Sequence, residues 1–286
     1  MKVVDSHAAD FAKRPSGPRS HPSIVLQFQT LLIHWQESPM RIPTIRGIID
    51  RRILVNFRVD AEAIRKLLPE PFQPQLFQGH AIAGICLIRL KHVRPKFLPA
   101  FIGIASENAA HRIAVQWKGD DHAGLKTGVY IPRRDTSSRM NAFAGGRIFP
   151  GLHHHARFDI EESEARYQVA MHSMDGSAHL SVDATVAKNL PENSLFNSTE
   201  QVSEFFEQGS LGYSPKTNDP NSDFDGLELR TFNWQVTPLN VTKVESSFFD
   251  DTSTFPVGSV EFDNALLMRG IDHEWHSRDS ICAGAC

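Results

Sequence analysis

Three groups of side chains carry the chemistry that this sequence can offer. His153, His154 and His155 stand in a row ahead of an alternating stretch. On a strand, His153 and His155 fall on one face and His154 on the other. Two imidazoles on one face suit proton transfer near neutral pH or the lining of a pocket. Their spacing is only a weak metal pattern and fits hydrogen bonding to neighbouring strands as well, so no metal is assigned. Arg133, Arg134, Asp135 and Arg139 lie between an expected strand and a short helix. Guanidinium groups at that density suit a bound carboxylate or phosphate through bidentate hydrogen bonds, with Ser137 and Ser138 as further donors. The same residues equally suit a loop held together by an Asp135–arginine pair. Glu107 has Asn108 and His111 beside it. A carboxylate turned into an apolar interior would titrate high and serve as acid or base; the competing role is a salt bridge to Arg112 or Arg147. Asp272, His273, Glu274 and His276 match no clean ligand spacing.

Composition excludes several function classes. The formal charge is −3, with lysines and arginines scattered apart from pairs such as Arg51-Arg52 and Arg133-Arg134, so no footprint for nucleic acid is present. Hydrophobic residues make up 41% and charged ones 22%, the balance of a globular protein with a substantial core. Cys86, Cys282 and Cys286 give no disulfide framework, which points to a reducing, cytoplasmic setting. Cys86 sits in an apolar run and reads as a small buried hydrophobe. No stretch reaches the roughly 18 apolar residues of a membrane-spanning helix, and residues 24–35 make a poor signal peptide. Gly145-Gly146-Arg147 is not a dinucleotide fingerprint, and no nucleophile elbow, phosphate loop or paired C-x-x-C occurs. No cofactor is expected.

The elements that must hold these residues are mostly strands. Residues 52–59, 80–90, 111–118, 126–131, 154–160, 167–172, 178–186, 227–236, 240–248 and 257–268 have strand composition. The run 80–90 is nearly all apolar, as for a strand buried on both faces. Asp60 is placed to cap a short helix over 61–68, ended by Pro69 and Pro71, and Thr199 to cap another over 199–208. Residues 214–225 read as a long polar loop. About ten strands without regular βαβ alternation predict a mainly β (α+β) fold, an antiparallel barrel or cone with a few short helices. Residues 1–39 read as a flexible extension, 40–278 as one domain and 279–286 as a flexible tail.

Longer motifs add a family resemblance. They are Ser106–Arg112, the stretch from Gly128-Val129-Tyr130-Ile131-Pro132-Arg133-Arg134 through Gly146-Arg147-Ile148-Phe149-Pro150 to His153–Phe158, and Gly258–Phe262 with Ala265–Met268. Together they resemble the uncharacterised bacterial YqjF-like branch of the acetoacetate decarboxylase-like superfamily, over about residues 47–278. The resemblance implies a β-barrel or cone with an interior site and, since its members are often oligomeric, allows a homo-oligomer. In the decarboxylases a Phe-Pro turn leads into paired lysines, one of which forms a Schiff base while its neighbour lowers its pKa. Here Phe149-Pro150 is followed by Gly151-Leu152-His153, and the alternative alignment supplies Arg133 and Arg134. Arginine stays protonated and forms no imine. The expected site therefore has Glu107, His155 and His153 as proton-transfer groups, and Arg133, Arg134, Arg147 and His111 around a small carboxylate- or carbonyl-bearing ligand. Lyase or hydratase chemistry without a lysine is the first reading. A non-catalytic ligand-binding or sensor domain is the second. No nucleic-acid or membrane partner is expected.

Overall fold

A strand whose residues are all apolar needs cover on both faces, and the central wall of this fold meets that need. The computed structural model describes residues 43–119, 124–143, 151–216 and 223–283. The residues expected to form an N-terminal extension, together with Arg147, lie outside the described residues. The strands are β1 (Ile45–Val59), β2 (Gln73–Pro74), β3 (Leu76–Phe77), β4 (His80–Pro95), β5 (Ile104–Lys118), β6 (Leu125–Thr136), β7 (His153–Glu162), β8 (Arg166–Ser173), β9 (His179–Val186), β10 (Leu211–Pro215), β11 (Asp223–Thr231), β12 (Thr237–Ser246) and β13 (Val260–Cys282). Short helices α1 (Ala61–Arg65), α2 (Arg139–Phe143) and α3 (Thr199–Gln208) interrupt them.

The sheet runs β11-β10-β6-β7-β8-β9-β12-β13-β1-β4-β5-β2, and further pairings of β11 with β13 and of β5 with β6 close it on itself. It therefore branches at β6 and at β13. One ring passes β13-β1-β4-β5-β6-β10-β11; the other inserts β7-β8-β9-β12 between β6 and β13. Strands β13, β1, β4, β5 and β6 form the wall common to both. Most pairings are antiparallel, but β6 runs parallel to β7 and to β10, so the sheet is mixed rather than purely antiparallel.

Alternation divides the wall between two cores. Ile53, Val55, Phe57 and Val59 of β1, with Ala83, Ile85 and Leu87 of β4, face one. Ile49 and Leu54, with Ile82, Cys86 and Leu90, face the other, where Val202 and Phe206 of α3 also pack. A pleated strand sends neighbours to opposite faces, so each needs its own apolar cover, and the continuous run in β4 follows from that. Among the described residues no helix is long and apolar enough to cross a membrane.

Several boundaries differ from the sequence reading. Asp60 caps α1 as expected, its carboxylate accepting from the Glu62 and Ala63 amides, whereas Ser198 and not Thr199 caps α3, accepting from Gln201 N. Strand β5 begins at Ile104, so Glu107 lies within it. Strand β6 continues to Thr136, which places Arg133, Arg134 and Asp135 in a strand and not a loop. It is carried past Pro132 by a register shift against β5 and held beyond it by β7. Strand β13 runs past residue 278 to Cys282, paired with β11, so the expected tail begins too early.

Gly84 lies between Asn56 of β1 and Arg112 of β5. A Cβ there would stand 2.2 Å from the Val55 carbonyl oxygen. Gly84→Ala forces neighbouring wall strands apart and should cost about 1–3 kcal/mol, read as a lowered midpoint in urea; an unchanged midpoint would show that the wall yields freely.

Candidate anion-binding cavity

The ring β13-β1-β4-β5-β6-β10-β11 encloses a cavity of about 500 Å³. Arg52 of β1, Cys86 and Ile88 of β4, and Asn108, Ala110 and Arg112 of β5 form one side. These are alternate residues on adjacent strands, so the pleat alone turns them to a common face. Val129, Ile131 and Arg134 of β6 continue the lining, with Leu227 and Leu229 of β11, Trp275 of β13, and Phe206 and Glu207 of α3. Phe232 and Trp234 add aromatic surface. The space is mainly apolar, with positive charge concentrated in the shared wall.

Three of the four arginines in the lining supply that charge; the fourth, Arg230 of β11, is paired with Glu228 at 2.8 Å. Arg112 is 4% exposed; it donates Nη2 to the neutral Asn56 Oδ1, lies 4.4 Å from the Phe206 ring centre, and leaves Nε buried without a partner. Arg52 donates Nε to Cys86 Sγ at 3.3 Å, lies 5.9 Å from the Trp234 ring and has Nη1 buried without a partner. Arg134 donates to Ser214 Oγ from Nε at 3.2 Å and from Nη2 at 3.1 Å. Among the described residues none of the three forms an ion pair. Burial pulls both Arg112 and Arg134 down to about 10, which still leaves them charged at pH 7. Buried charge without a counter-charge is costly, and an anion in the cavity relieves that cost.

The opposite face of the same strands is neutralised. Arg51 is fully buried and donates to Glu162 at 2.8 Å and to Glu107 at 2.6 Å. Arg89 bonds the same two carboxylates, and Asp50 accepts from Lys91 at 2.8 Å. Burial alone would raise Glu162, but its bonds to Arg51 and Arg89 outweigh that and hold it below the usual carboxylate range.

The expected site residues are thus divided. Arg134 and His153 line the cavity. Glu107 does not; it pairs with Arg51 and Arg89 and not with Arg112. Arg133 is taken by Asp135, Nε to Oδ2 at 2.9 Å and Nη2 to Oδ1 at 2.8 Å, and also donates to Ser177. His111 is 1% exposed on the other core, 4.7 Å from the Phe248 ring, and burial, followed by the nearby Arg133 charge, pushes it down to about 3. His155 on β7 is half-buried and outside the lining, separated from His153 because the cavity reaches only the first residue of that strand. His153 has Nδ1 3.1 Å from the Gly151 carbonyl oxygen; burial first, then Arg134, pushes it down to about 3, so it is neutral at pH 7. His276 lies 3.2 Å from Glu274 within β13, and no group of residues suited to a metal ion occurs among those described. Lys118 and Lys126 are both exposed, and among the described residues no lysine lines the cavity. Sequence reasoning missed Arg52, Cys86 and the placing of Arg112 in the cavity. The available signal was alternation, which turns Arg52 to the same face as Leu54, and Arg112 to the same face as Ala110 and Ala114.

Comparison with known proteins places this architecture. The model of the DUF2071 family, described as an uncharacterised conserved protein (COG2071), matches residues 49–259. No curated protein matches the chain. An acetoacetate decarboxylase-like enzyme from Sphingomonas wittichii RW1 superposes with a TM-score of 0.53 at 12% identity, covering 85% of this chain and 93% of that one. Acetoacetate decarboxylase from Legionella pneumophila gives a TM-score of 0.50 at 10% identity, covering 84% and 87%. At these identities the likeness is one of fold.

The buried imidazoles set a pH dependence. His111 and His153 have folded pKa values below their ordinary value of 6.5, so below about pH 6.5 the unfolded chain binds protons that the folded chain refuses. The stability they contribute is present above pH 6.5 and is lost as pH falls toward about 3. Each should steepen acid destabilisation by up to about 1.4 kcal/mol per pH unit. Urea midpoints measured from pH 7 to pH 4 should fall, and fall less in His111→Leu; parallel curves for the two proteins would contradict a neutral buried His111.

Proposed function

We propose, from the premise that this chain belongs to the DUF2071 family and has an acetoacetate decarboxylase-like fold, that it binds a small carboxylate-bearing molecule in the cavity. The carrying observation is Arg112, buried to 4% exposure with its Nε unpartnered and no carboxylate paired to it among the described residues. With Arg52 and Arg134 it offers a ligand several N–H donors and uncompensated positive charge. The apolar and aromatic part of the lining favours a ligand whose body is hydrocarbon or a carbonyl-bearing chain. Such a pocket works by electrostatic capture at one end and desolvation at the other.

Schiff-base chemistry is not supported, because among the described residues the lining holds no amine. A sensor or carrier domain needs nothing beyond binding. Lyase or hydratase turnover is a second reading, favoured by one observation: the neutral His153 imidazole lies at the cavity wall beside Arg134, where it can take or give a proton next to the captured group. Glu107, engaged by two arginines outside the cavity, has no part in either reading.

Propionate, benzoate and pyruvate, each compared with its amide, test the proposal by thermal shift. A carboxylate at a hundred times its Kd should add about 2.7 kcal/mol of stability, while the amides leave the midpoint in place. Arg134→Gln should weaken binding about tenfold or more, the worth of a charge-assisted hydrogen bond, whereas Glu107→Gln should lower stability and leave affinity unchanged. Borohydride added with pyruvate should leave no covalent adduct. Equal shifts for acids and amides, or loss of binding in Glu107→Gln alone, would overturn the assignment.

A further inference from the structure

Cys86 stands at the centre of the three guanidinium groups, and strand register accounts for this. Across the wall, Leu54 of β1 pairs with Cys86, Cys86 with Ala110 of β5, and Ala110 with Arg134 of β6. Arg134 therefore lies in the same row as Cys86, with only the small Ala110 between them. Arg52 pairs with Ile88, and Arg112 with Gly84, each two residues along β4 from Cys86. Diagonal neighbours of this kind lie about 7–8 Å apart and within reach of long side chains. Arg52 makes the contact directly, donating Nε to the Cys86 sulfur. The cysteine is free, 8% exposed and part of the cavity lining.

A buried thiol in apolar surroundings needs no further role. Here a second feature points to a ligand at the same place: Arg112, more than nine-tenths buried, has its Nε unpartnered in the cavity and no ion-paired partner among the described residues. An anion drawn to these guanidinium groups is brought to the sulfur in their midst, and capture of this kind raises local concentration and orients the reacting atoms.

We infer that Cys86 is a nucleophilic site that forms a thioether with small carboxylates carrying an electrophilic carbon, above all those with a conjugated C=C bond. The inference rests on the anion-binding reading of the cavity. In the addition, the sulfur lone pair forms a bond to the β-carbon and the π pair moves to the α-carbon. The α-carbon then takes a proton in place of the one lost by the thiol. No oxidant or other reactant is consumed. Among the described residues the cavity lining thus holds no amine, while it does hold a sulfur nucleophile.

The test uses the intact folded chain with iodoacetate and iodoacetamide as probes, followed by peptide mapping of Cys86. With each rate divided by that of free cysteine and the same reagent, iodoacetate should react at least about tenfold faster than iodoacetamide. Added salt, propionate and Arg134→Gln should each reduce that preference. Acrylate should add its own mass to Cys86, and Cys86→Ser should carry no adduct at that position. Equal normalised rates, or no acrylate adduct, would overturn the proposal. If carboxylates stabilise the fold but Cys86 stays unmodified by every reagent, the nucleophile is refuted while anion binding stands; if they neither stabilise it nor protect Cys86, both fail.

Discussion

The constraint that organises this protein is the pleat of the wall shared by the two rings. Adjacent residues on β1, β4, β5 and β6 face different interiors, and the two interiors treat charge differently. Arg51 turns one way to the carboxylates of Glu107 and Glu162, and Arg52 turns the other way to the cavity. Arg133 closes on Asp135, whereas Arg134 reaches the cavity and, among the described residues, bonds the neutral Ser214 hydroxyl. His111 packs among phenylalanines, and Arg112 beside it points into the cavity. In each pair one member is accommodated within the protein, while the other lacks a counter-charge among the described residues. Burying charge is costly enough that this asymmetry is better explained by a ligand than by packing.

The fold supports the arrangement through apolar cover on both faces. Without the core around Ile53, Ile85 and Val115, the wall would have one wet face and no reason to keep its register. Without α3 and the aromatic residues of the second core, the guanidinium groups would be solvated and their attraction for anions screened. Burial therefore raises both the cost of the empty state and the strength of capture.

Much of this was legible in the sequence. The all-apolar run in β4 signalled a strand buried on both faces, and the missing lysine after Phe149-Pro150 could be read directly. The motifs around Ser106–Arg112 and Gly128–Arg134 pointed to the family. What could not be read was which side of the sheet each charged residue faces. That depends on where β5 begins and on the register shift between β5 and β6 beyond Pro132, neither of which leaves a periodic trace. A one-residue change of register exchanges the two faces, and this is why Glu107 and Arg133 were expected in a pocket that Arg112 and Arg52 occupy. Likewise, Cys86 looked like filler because its neighbours in sequence are apolar, while its neighbours in space are cationic.

The central claim is that Arg52, Arg112 and Arg134 hold an organic anion between them. The most direct measurement is a crystal structure of the protein soaked with 4-bromobenzoate, with bromine located by its anomalous signal. The account predicts the carboxylate within hydrogen-bonding distance of at least two of these guanidinium groups, and the bromine toward Leu227 and Trp275. A cavity holding only water at saturating ligand, or a ligand bound with its carboxylate away from all three, would contradict it.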